Sequence, residues 1–225
     1  MRIRSFIIAY ALVLAILLFA DRRPRPAQGS RYSHVIDLTG APSPDRTTDP
    51  LSSSVSVATR IIAPGALIPG TWSAGQIPAE RLIAPLVVMD LTMRADQVSQ
   101  ITLSDIADWE SRHGVVAQGA VVAIRRVGTD HSTAATPLPI TADAAQFLMD
   151  ARDVLGFAIE TSSNLASDRS FARRLALHGN YVIDRATRFS ALPETGSLVI
   201  VAPAKNPADK TSASAAPVRI LAMVR

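Results

Sequence analysis

The chain has no cysteine among its 225 residues. That absence excludes disulfides, thiolate metal sites and thiol nucleophiles, so stability has to come from an apolar core in any redox compartment. Histidine is scarce too, with four in all: His34, His113, His131 and His178. None is paired with another at metal-ligand spacing, and they read as solvated or hydrogen-bonded imidazoles. Aromatic residues make up only 5% of the chain, against 48% apolar residues overall, so the core is expected to be mainly aliphatic.

A surplus of one charge sign is also missing from most of the chain. Residues 1 to 29 carry five arginines against one aspartate, which accounts for the whole formal charge of +4 and leaves residues 30 to 225 neutral. With no net positive field on that part and no recognisable nucleic-acid motif, nucleic acid is not an expected partner.

One long apolar run is present, from Phe6 to Ala20, preceded by Arg2 and Arg4. This is the arrangement of an export signal, and it is short of the ~20 residues that span a bilayer. Residues 1 to 29 are therefore expected to be a signal peptide or N-terminal membrane anchor with a basic, Pro-rich tether, and residues 30 to 225 the folded domain. The expected location is the periplasm, or the outward face of the cytoplasmic membrane if the segment is retained.

Along the folded part, apolar periodicity and turn residues predict strands over 33 to 39, 55 to 62, 86 to 91, 120 to 126, 155 to 160, 181 to 184, 197 to 202 and 218 to 224. Pro64-Gly65 is expected to break the second of these. A short helical approach is predicted over 78 to 83, and helices over 103 to 113 (Thr102 cap, Gly114 stop), 141 to 151 (Thr141 cap) and 171 to 177. Strands outnumber helices. The predicted fold class is α/β of the α+β kind, a strand-rich mixed sheet or partly closed barrel with covering helices, rather than a doubly wound parallel sheet.

The stretch from Ser56 to Ala66, S-V-A-T-R-I-I-A-P-G-A, precedes the approach helix and the buried strand R-L-I-A-P-L-V-V-M-D-L. It occupies a site-like position with few side chains suited to chemistry. Together with V-I-D-L-T, I-T-L-S-D-I-A-D-W-E, P-I-T-A-D-A-A-Q-F-L, G-F-A-I-E-T-S-S, R-R-L-A-L-H-G-N-Y-V-I-D and P-V-R-I-L-A-M-V, the order and spacing resemble the cyclase family. This family of metal-dependent hydrolases includes bacterial kynurenine formamidase and isatin hydrolase. The resemblance covers about residues 34 to 224 and implies a swivelling β/β/α domain, assembled as a homo-oligomer.

The family's chemistry rests on a segment H-x-G-T-H-x-D-x-P-x-H, completed by a later histidine and glutamate. Imidazole and carboxylate ligands there hold Zn or Mn, which lowers the pKa of bound water from ~15.7 to ~7 and generates hydroxide. Pro64 sets the register in this chain and Thr59 keeps its place. The resemblance then puts Ser56 and Arg60 at the two ligand histidines, Ile62 at the aspartate, Ala66 at the last histidine, Ala172 at the later histidine and Asp184 at the glutamate. One carboxylate is retained, so the resemblance implies neither a resident metal nor another cofactor.

Arg60 and Asp184 face one cavity in the family, and the guanidinium is expected to pair with Asp184. Glu160, Thr161 and Ser162 match a stretch close to the site, and Trp72 is either a cap on a residual pocket or a loop anchor; with Arg60 and Asp184 these are the candidate binding residues. A Ser56 nucleophile with His178 and Asp184 is a further arrangement. Three functions stand open: a non-catalytic exported protein binding a small molecule or a partner, an arylformamide-type amide hydrolase with a rebuilt site, and a structural envelope protein with a filled cleft.

Overall fold

The computed structural model describes residues 32–40, 58–92, 100–126, 135–204 and 215–225, all within the compact unit Tyr32–Arg225. The expected targeting segment, Ser56 and His131 lie outside the described residues.

Four strands make a parallel half. They are β3 (Ile83–Asp90), β4 (Val121–Arg125), β6 (Gly156–Ile159) and β8 (Tyr181–Asp184), hydrogen-bonded in that order. Parallel neighbours need long crossovers, and three helices supply them: α2 (Leu103–His113), α3 (Ala142–Arg152) and α4 (Arg169–Leu177). The antiparallel half comprises β9 (Ser197–Pro203), β10 (Ala216–Val224) and β2 (Arg60–Ile62). β9 joins β3 to β10, and β10 joins β2, which pairs with β8. Seven strands thus close a mixed barrel, and β1 (His34–Asp37) adds to the free stretch of β10 beside β2. Closure through β9 and β10 goes beyond the partly closed alternative in the sequence reading.

Barrel closure divides the core in two by strand alternation. Leu86, Val88, Val121, Ala123, Ala158, Tyr181 and Ile183 point into the barrel with Val199, Val201, Ile220 and Ala222. Val87, Met89, Val122, Ile124, Phe157, Ile159 and Val182 point outward, where Ile106, Trp109, Leu148, Phe171 and Leu175 of the helices cover them. Strands buried on both faces read as continuous apolar runs, which is why V-V-A-I in β4 was recognisable.

Helix ends follow local chemistry. The Thr102 hydroxyl accepts from Asp105 N while the Asp105 carboxylate accepts from Thr102 N, a capping box. Thr141 caps α3 through Ala144 N, and α4 begins at Arg169, two residues upstream of the predicted start, with Asp168 as its cap. Pro64-Gly65 does end β2, but Pro64 is also the first residue of a short helical turn, α1 (Pro64–Leu67), which the breaker reading did not foresee. Its approach needs a glycine: a Cβ on Gly65 would meet Trp72 O at 2.8 Å. A small parallel pair, β5 (Ala135–Thr136) with β7 (Ser162–Ser163), was likewise unforeseen, because two-residue strands leave no periodicity.

Candidate functional site

The register of β2 against β8 sets Arg60 directly opposite Asp184, Ile61 opposite Ile183 and Ile62 opposite Val182. Ile61 and Ile183 enter the barrel, so their neighbours Arg60 and Asp184 share the outer, helix-covered face. Arg60 Nε and Nη2 donate to Asp184 Oδ2 at 3.3 and 3.1 Å, and Nη2 also donates to Ser162 Oγ at 2.9 Å. Ser163 N adds a third donor group to the same oxygen at 3.1 Å. The pairing expected from the sequence is therefore formed, with Ser162 and Ser163 joining it.

Asp184 is fully buried while the Arg60 side chain keeps 25% exposure. Among the described residues Asp184 Oδ1 and Ser163 Oγ form no regular hydrogen bond, although the Ser163 hydroxyl lies close enough to favour the charged Asp184 carboxylate. Burial pushes the Asp184 carboxyl above its ordinary range, against the opposing pull of the Ser163 hydroxyl and amide and of the Arg60 guanidinium. Thr59, the retained family threonine, is buried next to the pair. Its hydroxyl donates to Arg185 O at 2.7 Å and accepts from Gly40 N at 2.6 Å, stitching β2 to the chain beyond β8.

The other predicted positions separate into two places. Ala66 and Ala172 come together in a cleft of about 410 Å3 between α1 and α4, lined also by Leu67, Ile68, Leu165, Arg169 and Arg173. Arg60 and Asp184 are not among its lining residues, but β2 runs directly into α1, and β7 is followed by the turn carrying Leu165. Ile62 is partly buried against the outer core instead of facing open space. Glu160 Oε1 accepts from Phe189 N at 3.2 Å and Thr161 O accepts from Arg185 N at 2.9 Å, so both tie β6 to the chain following β8.

Trp72 takes the loop-anchor alternative: Arg81 lies over its ring at 5.6 Å, and a Cβ on Gly179 would meet the ring at 3.0 Å. The Ser56–His178–Asp184 arrangement is not assembled by the described residues. His178 caps the C-terminus of α4 with Nε2 facing Asp150 at 3.4 Å, whereas Asp184 lies at the far end of β8 and bonds Arg60. His113 faces Glu194 at 2.7 Å and His34 bonds Ser33. Among the described residues no three His, Cys, Asp or Glu side chains converge on a metal position.

Sequence reasoning missed Ser163, which reaches Asp184 through its backbone amide as well as its hydroxyl, and an amide leaves no side-chain signal. It also missed Arg169 and Arg173. The spacing of two arginines at i and i+4 on a helix with no acidic residue at matching spacing was the available sign.

A mixed barrel with parallel strands crossed by outer helices, and a buried carboxylate at the end of β8, is the architecture on which the site is built. The family model described as "Putative cyclase" matches residues 29–164, and the chain belongs to the cyclase family. Within that family the chain is similar in structure to isatin hydrolases. Isatin hydrolase A from Labrenzia aggregata, solved with benzyl benzoate, superposes with a TM-score of 0.67 at 25% identity, over 85% of this chain and 93% of that one. Isatin hydrolase A from Ralstonia solanacearum gives 0.67 at 23% identity, over 85% and 92%. An isatin hydrolase bound to the product analogue thioisatinate gives 0.67 at 20%, over 100% and 99%. None of the curated proteins matches the sequence.

Proposed function

We propose that this chain is an exported, metal-free member of the cyclase family that binds a small ligand without hydrolysing it. The observation that carries this reading is the Arg60 guanidinium bonded to Asp184 and Ser162. The residues present do not fit the family's Zn or Mn. A divalent cation beside Asp184 would lie within a few Å of a permanent positive charge, and Ile62, Ala66 and Ala172 offer no donor atom from their side chains. Arg60 instead supplies the positive charge that the buried carboxylate needs.

The cleft between α1 and α4 favours ligand binding over a filled, purely structural remnant, because its volume lies in the range of small-molecule sites. The apolar run behind Arg2 and Arg4 supports export, with the membrane touched only through that segment. Assembly as a homo-oligomer belongs to the same reading and rests on family resemblance.

The test is made on the purified full chain. Metal content, thermal shift with Zn²⁺ and Mn²⁺, and hydrolysis of isatin and N-formylkynurenine are measured together. The expected outcome is substoichiometric metal, no metal-dependent shift and no turnover. One metal ion per chain, or turnover abolished by a chelator, overturns the reading in favour of an amide hydrolase with a rebuilt site.

A further inference from the structure

Resting on the ligand-binding reading above, we propose that the cleft between α1 and α4 takes an organic anion with a short apolar body, its charged end held by Arg169 and Arg173. The body's environment is set by Ala66, Leu67, Ile68, Leu165 and Ala172, all aliphatic, around about 410 Å3. The remaining lining is the two arginines, and no acidic residue is present to repel an anion.

Arg60, Arg125, Arg152 and Arg219 each bond a carboxylate, and Arg174 lies over the Phe171 ring at 5.9 Å. Arg169 and Arg173 have neither an ion pair nor a side-chain hydrogen bond among the described residues, and both are exposed. Arg126, Arg188 and Arg225 also lack an ion pair or side-chain hydrogen bond among the described residues, but none of them lines the cleft, whereas Arg169 and Arg173 both do. One turn apart on the same face of α4, they repel each other. Arg169 also opens the helix, where the macrodipole disfavours a cation. The neighbouring acid, Asp168, is engaged as the helix cap, accepting from Phe171 N at 2.9 Å and from the Ser170 hydroxyl at 2.8 Å.

Helix stability therefore does not account for the pair, whereas an anion seated between two guanidinium groups does. It offsets their repulsion and receives charge-assisted hydrogen bonds, while its apolar part covers the aliphatic wall. A carboxylate, sulfate ester or phosphate ester on a short alkyl or aryl group has the required chemistry. The old histidine positions enter in a new capacity: alanines at 66 and 172 leave room that two imidazoles would occupy.

Calorimetric titration of the purified full chain with octanoate, octanamide and acetate separates the two halves of the proposal. Octanoate is expected to bind at least about tenfold more tightly than either its neutral analogue or the bare anion. Arg169→Ala and Arg173→Ala, both exposed and thus compatible with an unchanged fold, are each expected to weaken octanoate about tenfold and leave octanamide unaffected; Arg173→Lys recovers part of the loss. Unchanged circular dichroism in the variants is the folding control. Octanoate binding that is undetectable, no tighter than octanamide or acetate, or insensitive to both arginine variants overturns the proposal. Chelator-sensitive amide turnover in the same preparation would instead overturn the metal-free reading and leave the anion preference to be judged by the octanoate titration.

Discussion

At the residue scale, Asp184 concentrates the tension in this molecule. One oxygen gathers Arg60 and Ser163 N, and the other is buried and forms no regular hydrogen bond among the described residues. Because its folded pKa lies above the ordinary 3.8, the native state still holds, at pH between the two values, a proton that the unfolded chain has released. Its contribution to stability is therefore fully present below that ordinary value and is lost as pH rises through the raised folded one. Arg60→Met removes the counter-charge and drives the pKa further up. The expected loss at pH 7.5 is about 2 kcal/mol, under the ~3 to 5 kcal/mol typical of a fully buried pair because the guanidinium is partly solvated. In urea titrations this loss should shrink as pH falls through the raised folded pKa, where the carboxyl takes up its proton. A pH-independent loss would contradict the account.

Gly156 gives a second prediction at this scale. It opens β6 opposite Tyr181, and a Cβ there would strike Tyr181 Cδ2 at 2.7 Å and the same residue's carbonyl oxygen. Tyr181 cannot retreat, being wholly buried with its hydroxyl donating to Arg81 O at 2.9 Å. Gly156→Ala is expected to cost about 3 kcal/mol in chemical denaturation, from overpacking and not from lost backbone freedom.

At the element scale, the outer helices are held to one another as well as to the barrel. Arg152 of α3 donates through Nε and Nη2 to the two Glu110 oxygens of α2 at 2.7 and 2.9 Å, while Val116 N donates to Oε1 at 2.9 Å. The Arg152 bonds, more than the Val116 bond, hold the Glu110 carboxyl below its ordinary 4.5. The sign is opposite to that of Asp184: this stabilisation is present above 4.5 and lost as pH falls through the lowered value. Glu110→Gln should cost about 1.5 kcal/mol at pH 7, and the difference from the parent should fade in acid when thermal melts are compared. Helices α2 and α3 were legible because Thr102, Gly114 and Thr141 are local signals. The turn α1 was not, since Pro64-Gly65 reads equally as a strand terminator and a helix start.

At the scale of the whole molecule, β10 is the closing piece. It pairs with β9 over Val218 to Met223, with β2 at Ala216 and Pro217, and with β1 over Leu221 to Val224. Deleting residues 216 to 225 would remove the inward-facing Val218, Ile220, Ala222 and Val224 and leave three strands with unpaired edges. The truncated chain is expected to lose its near-ultraviolet circular dichroism and to aggregate. A native-like spectrum would show that the barrel closes without its last strand.

The sequence by itself determined the family and all the longer elements, though not the turn α1 or the two-residue strands β5 and β7, because strand alternation, helix caps and the register from Thr59 to Pro64 are written in neighbouring residues. It also determined the loss of ligand-type side chains at Ile62, Ala66 and Ala172. Only the tertiary structure decided which of these positions meet. The antiparallel register of β2 on β8 places Arg60 on Asp184 across 124 positions of chain, and the packing of α1 on α4 gathers Ala66 and Ala172 with Arg169 and Arg173. Contacts of that kind depend on barrel closure and on crossovers that bring distant segments together, and no local pattern encodes them.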